Sequence, residues 1–235
     1  MSLKKLILSA AALIFLNCHL SFGQTEQFWG QFSFIYTASP KWKLSTDAFG
    51  RYQLAKNGWK GHVLREVASF NISPKLNLVG GAGYYSVDYP DIEDYKEFRI
   101  WQGVQARWPK IGPWEFTHYV RLEEKFIFQG LEYPYVTRFR YMIGGGMPLL
   151  KWDDGNRVLS VNLGFEPLWL LNSKVSDLYS YTHRSYYGLG LRLNDKWSLG
   201  LSYISQEFKT GKEEHFFHIS DVAFLKVAYN LKRQY

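Results

Sequence analysis

Three groups of side chains in this 235-residue chain have the types and spacing to do chemistry. The largest is a set of charges at alternate positions: Arg51, Arg99, Arg107, Arg121, Glu123, Lys125, Arg138, Arg140, Glu166, Arg184 and Arg192. In an extended strand, residues two apart share a face. Arg121, Glu123 and Lys125 therefore project as one stack, as do Arg138 and Arg140. Guanidinium groups present flat forks of donors that suit carboxylates and phosphates. The second group is His183 and Ser185, also two apart, with Glu166 or Glu207 as an acid to complete a nucleophile–base–acid set. His-x-Ser is a common tripeptide, and here it sits beside Arg184 at the mouth of a long loop, so no catalytic residue is assigned. The third is Glu213-Glu214-His215-Phe216-Phe217-His218. Histidines three apart fall on opposite faces of a strand and converge only in a loop or helical turn, so no metal is assigned. No phosphate loop or nucleotide fingerprint occurs, and no cofactor is expected.

The elements that would carry these charges read as strands. Trp114–Phe128 separates cleanly: Trp114, Phe116, His118, Val120 and Leu122 point one way, and Glu115, Thr117, Tyr119, Arg121, Glu123 and Lys125 the other. Period-two segments of this kind recur at Phe28–Ala38, Trp42–Leu54, His62–Ile72, Leu76–Tyr89, Glu97–Trp108, Tyr135–Pro148 and Val158–Pro167. Three more follow: one through Arg184–Leu193, Trp197–Phe208, and a last one ending with Leu231. Breaker-rich gaps separate them, such as Ser39-Pro40-Lys41, Ser73-Pro74-Lys75 and Asp153-Asp154-Gly155-Asn156. Gly80-Gly81-Ala82-Gly83 and Gly144-Gly145-Gly146 lie inside strands, where glycine marks a bend or a close approach. Arg65 and Glu66 are adjacent, so one of them must sit on the apolar face.

The N-terminus reads as a secretory signal: Lys4 and Lys5, an apolar run from Leu6 to Leu16, then Ser21-Phe22-Gly23. Residues 1–23 are expected to be removed, leaving 24–235 as one domain. Cys18 invites a lipoprotein reading, which Asn17 before it fits poorly. Beyond the signal there is no cysteine, and no apolar run long enough for a membrane helix. The formal charge of +7 falls to +5 without Lys4 and Lys5, a mild excess that gives no reason to expect nucleic acid. Aromatic residues reach 18%, beside 20 glycines. That composition suits a closed antiparallel sheet in a bilayer, with aromatic girdles at both interfaces and glycines at bends.

Two patterns point to a single antiparallel up-and-down transmembrane β-barrel of about 10–12 strands, an all-β fold. Short turns alternate with longer loops, and segments of ten residues or more match the lipid-facing height of such barrels. A barrel in lipid turns its oily face outward and its charges inward. The interior would then hold eleven basic groups (the arginines above with Lys125, plus Arg65 and Lys226) against five acids, Asp47, Glu97, Glu115, Glu123 and Glu166. The segment count is eleven, whereas bacterial single-chain barrels usually have an even number. Either the first segment lies outside the closure, giving ten, or one is missed, giving twelve.

Several stretches resemble the family catalogued as domain of unknown function 2490. They are Lys41-Trp42-Lys43-Leu44, Arg121-Leu122-Glu123-Glu124-Lys125, Arg138-Phe139-Arg140-Tyr141, Glu166 at the close of a strand, and Arg184 at the start of another. Lys125 stands where the family leads one to expect arginine. The resemblance implies an outer-membrane barrel from a Gram-negative, Bacteroidetes-type bacterium and supplies no activity. The expectation is a non-catalytic outer-membrane protein, exported through its signal, with membrane lipid including the lipopolysaccharide leaflet as its surroundings. Its charged interior is either a closed ladder of ion pairs or a narrow, porin-like pore preferring small anionic solutes. The alternatives are an outer-membrane lipid hydrolase using His183 and Ser185, and a soluble periplasmic lipocalin-like barrel with the oily face inward around a ligand. Oligomeric state is not legible.

Overall fold

The computed structural model describes residues 26–90, 92–128, 135–171, 181–209 and 215–233. The signal segment, Glu213 and Glu214 lie outside them. Each alternating segment forms one strand of a closed barrel: β1 (Glu26–Thr37), β2 (Trp42–Gln53), β3 (Lys60–Ser73), β4 (Leu76–Asp88), β5 (Tyr95–Arg107), β6 (Glu115–Phe128), β7 (Tyr135–Trp152), β8 (Arg157–Leu170), β9 (Tyr181–Arg192), β10 (Trp197–Lys209) and β11 (Phe217–Lys232). Consecutive strands pair antiparallel throughout. The strands run from 12 to 18 residues. Twelve residues at about 3.3 Å each, tilted by roughly 40°, rise about 30 Å, which is the thickness of a bilayer's hydrocarbon core.

The parity is odd, and the barrel neither drops a strand nor gains one. Every connection reverses the chain, so β1 and β11 of an eleven-stranded barrel run the same way. They close it as a parallel pair, in register from Glu26 opposite Asp221 to Thr37 opposite Lys232. The seam satisfies the two edges that a sheet would otherwise leave open.

Alternation sorts the side chains. Phe32, Phe34, Leu44, Leu64, Phe98, Val104, Leu163 and Leu201 are exposed, with Leu64 at 55% and Leu201 at 47%. Asp47, Glu97, Arg99, Arg121, Glu123, Lys125, Arg138 and Glu166, on the other face of the sheet, are buried. A lipocalin-like arrangement would need the reverse. Outward aromatics pair near both ends of the strands. Trp42 packs on Phe70 at 4.9 Å and Trp197 on Tyr229 at 4.8 Å at the short-turn end. At the long-loop end Phe126 lies 5.3 Å from Tyr135 and Phe139 5.5 Å from Trp169. Of the adjacent charges on β3, Arg65 turns inward to Asp47 and Glu66 faces out, accepting a hydrogen bond from Thr46 at 2.9 Å. Glu66 sits midway along β3 rather than above the apolar band.

Candidate functional site in the barrel interior

The interior is built around Glu123. Its β6 position places it inward between Arg121 and Lys125, and the antiparallel pairing to β7 sets Arg138 directly opposite. The carboxylate is 0% exposed and meets four guanidinium groups. Arg138 reaches it at 2.6 Å, Arg140 at 2.9 Å and Arg99 at 3.5 Å, and Arg121 also bonds it. A buried carboxylate is costly to desolvate, and only such a dense set of donors offsets that. The network continues in both directions round the wall. On β5, Glu97 holds Arg99 at 2.5 Å and Lys125 at 3.2 Å. On β8, Glu166 takes Arg140 at 2.5 Å, the Tyr186 hydroxyl at 2.7 Å and Arg184 at 3.7 Å. Arg184 then donates to Gln206 at 2.8 Å, and Gln206 to Ser220 at 2.7 Å. Side chains of seven successive strands, β5 to β11, are thus linked.

The β1–β4 side is filled differently. Trp29 and Phe49 both pack on Phe224, at ring separations of 6.2 and 6.3 Å. Arginines sit over the rings of this side: Arg51 over Trp29 at 4.4 Å, Arg65 over Phe49 at 4.2 Å and Arg99 over Tyr85 at 4.1 Å. For Arg51, which has no ion pair among the described residues, this stacking stands in for a carboxylate; Arg65 and Arg99 have both. Below it runs a short polar chain from Gln31 to Ser33 (2.7 Å), Ser33 to Asp47 (2.6 Å) and Arg65 to Asp47 (2.6 Å). Ion pairs and aromatics together pack the half of the barrel nearer the long loops. The other half holds a polar cavity of about 230 Å³ among Asp47, Arg65, Arg121 and Lys226.

Alternation gives a charge its face but not its height along the strand. Arg107 and Arg192 are exposed at the short-turn rim; Arg192 bonds the Gly155 carbonyl and Arg107 lines a separate recess with Lys41. Glu115 is also outside the network, exposed and paired with Lys110. The ladder therefore comprises Arg99, Arg121, Glu123, Lys125, Arg138, Arg140, Glu166 and Arg184, while Arg51 stacks on Trp29 outside it. Sequence reasoning missed Trp29, Phe49, Tyr186, Gln206 and Ser220. They are uncharged, so a search for charges passes over them, although alternation places each opposite the oily face of its strand.

On the outer wall His183 and Ser185 do share a face; Glu166 lies inside and cannot complete a set with them, whereas Glu207 lies opposite His183 on β10. His183 stacks on Phe216 at 3.8 Å. A different polar chain stands nearby: Ser205 Oγ is 3.5 Å from His218 Nδ1, His218 Nε2 is 3.3 Å from Asp221, and the Tyr203 hydroxyl donates to Asp221 at 2.5 Å. The Ser205 contact is long for an activated hydroxyl. No group of three or more His, Cys, Asp or Glu residues able to hold a metal occurs among the described residues.

The architecture defines a class: an all-β closed barrel. Residues 26–216 match the family described as "Protein of unknown function (DUF2490)", and the chain belongs to that family. Among solved structures it is similar to the siderophore receptor PirA from Pseudomonas aeruginosa, at 12% identity and a TM-score of 0.30, over 76% of this chain and 37% of that one. The chain thus spans little more than a third of that receptor's length. No curated protein matches.

Proposed function

We propose that this protein is an outer-membrane β-barrel that is closed to ions and non-catalytic, a structural wall whose long-loop half is packed solid. Residues 1–23 would direct export, and the outward aromatic rings would sit at the two interfaces of the bilayer, with lipopolysaccharide around the long-loop end. Support for the membrane reading is the exposed apolar band over closed backbone ladders; in water such a surface would drive aggregation. A single observation carries the closed reading: Glu123, without exposure, ties Arg99, Arg121, Arg138 and Arg140 together across the interior. A pore needs a continuous water path, and this knot stands in it beside the Trp29–Phe224–Phe49 layer.

The test is electrical. Purified, folded protein inserted in a planar bilayer is expected to give no current steps. Stepwise conductance with anion preference would replace the closed reading by the pore reading. Fractionation tests the location: the protein is expected to need detergent for extraction and to migrate differently on a gel with and without heating. Recovery from the soluble periplasmic fraction would overturn it.

A further inference from the structure

The half of the barrel toward the short turns is not packed, and its charges do not balance. The cavity of about 230 Å³ is walled by Arg65, Arg121 and Lys226, with Asp47 as its carboxylate. Asp47 is already engaged by Arg65 and by Ser33, each at 2.6 Å. Lys226, on β11, has no ion pair and no hydrogen bond among the described residues, and Asp47 and Arg65 are the charged groups that face it. The Nε atoms of Arg65 and Arg121 are buried without a partner. Each is a donor that costs free energy to leave unmet. The short-turn mouth is basic as well. A recess of about 390 Å³ at the short-turn mouth is bordered by Lys41 and Arg107. Asn77 of this recess donates to Gln105 of the inner cavity at 3.3 Å.

We infer that this blind cavity is a binding site for a small oxyanion, of the carboxylate or phosphate class, entering from the compartment that the short turns face. Lys226 supplies the uncommitted charge, and the Arg65 and Arg121 guanidinium groups in the same lining add positive potential around it. The nearby Trp101 and Tyr119 rings form an apolar wall that strengthens those contacts by excluding water.

This inference rests on the closed reading, and the two fail differently. Full-length protein extracted in detergent would be titrated by calorimetry with inorganic phosphate and, separately, with succinate in buffer free of other oxyanions. Saturable binding of at least one, near one per chain, is expected. Whichever binds more tightly tells a tetrahedral oxyanion from a carboxylate. Lys226→Met should weaken binding by about tenfold, the loss of one charge-assisted contact. It should still fold, since it replaces an unpaired inward charge with a chain of similar length. Asp47→Asn keeps an acceptor for Arg65 and removes the opposing charge, so it should tighten binding. Absence of saturable binding by both anions overturns the site, as does unchanged affinity in a folded Lys226→Met. Current through a planar bilayer would overturn the closed barrel while leaving the binding result standing.

Discussion

At the scale of single residues, burial decides which charges matter. Glu123 and Arg192 read alike along the chain, each inward by alternation. Glu123 bonds four arginines in the packed interior, whereas Arg192 lies exposed at the rim. Removing one partner from a buried ionic cluster leaves the others uncompensated, which costs about 3–5 kcal/mol. Glu123→Ala is therefore expected to lose stability on that scale, whereas Arg192→Ala should change it by less than about 0.5 kcal/mol. Urea unfolding of both variants in the same detergent measures the contrast; equal losses would mean that the knot does not support the barrel. The stretches that carry the family resemblance make the same point. Arg121, Glu123, Lys125, Arg138, Arg140, Glu166 and Arg184 come from four strands, yet they form one network. Their types could be read in the sequence. Their convergence on Glu97, Glu123 and Glu166 could not, because it depends on how neighbouring strands are staggered.

At the scale of the strand, glycine and face decide what can be substituted. Gly81 on β4 faces inward, where an added Cβ would lie 2.3 Å from the Trp101 ring and 2.6 Å from the Glu66 carbonyl oxygen. Its neighbour Gly80 faces out, with the nearest atom at 3.8 Å. Gly81→Ala should thus cost about 1–3 kcal/mol through overpacking, and Gly80→Ala should be tolerated. Comparison of their heat-induced gel shifts tests this, and an intolerant Gly80 would contradict the face assignment. Glu66 offers the complementary test on the outer wall. An outward acid in mid-strand is unfavourable in lipid, though less so than a base. Glu66→Leu should raise stability by about 1 kcal/mol in bilayer vesicles, measured by reversible urea unfolding. Destabilisation there would argue that this wall faces something other than lipid.

At the scale of the molecule, closure is the property that local pattern does not encode. Alternation marked eleven segments, and turn residues such as Ser39-Pro40-Lys41 and Ser73-Pro74-Lys75 marked the reversals. An even strand count was the reasonable expectation, because hairpins alone pair every edge only when the number is even. The structure resolves the odd count with a parallel β1–β11 seam, a contact between the two ends of the chain that no local signal announces. The sequence by itself determined strand type, strand limits to within a few residues, and which face of each strand is oily, since all three follow from a two-residue period and short-range turn chemistry. Only the tertiary structure decided the strand number in the closure, the height of each charge and the pairing of Glu123 with four arginines. It also decided the division of the interior into a packed half and an unbalanced cavity. These depend on stagger and curvature, which place side chains far apart in sequence within hydrogen-bonding distance.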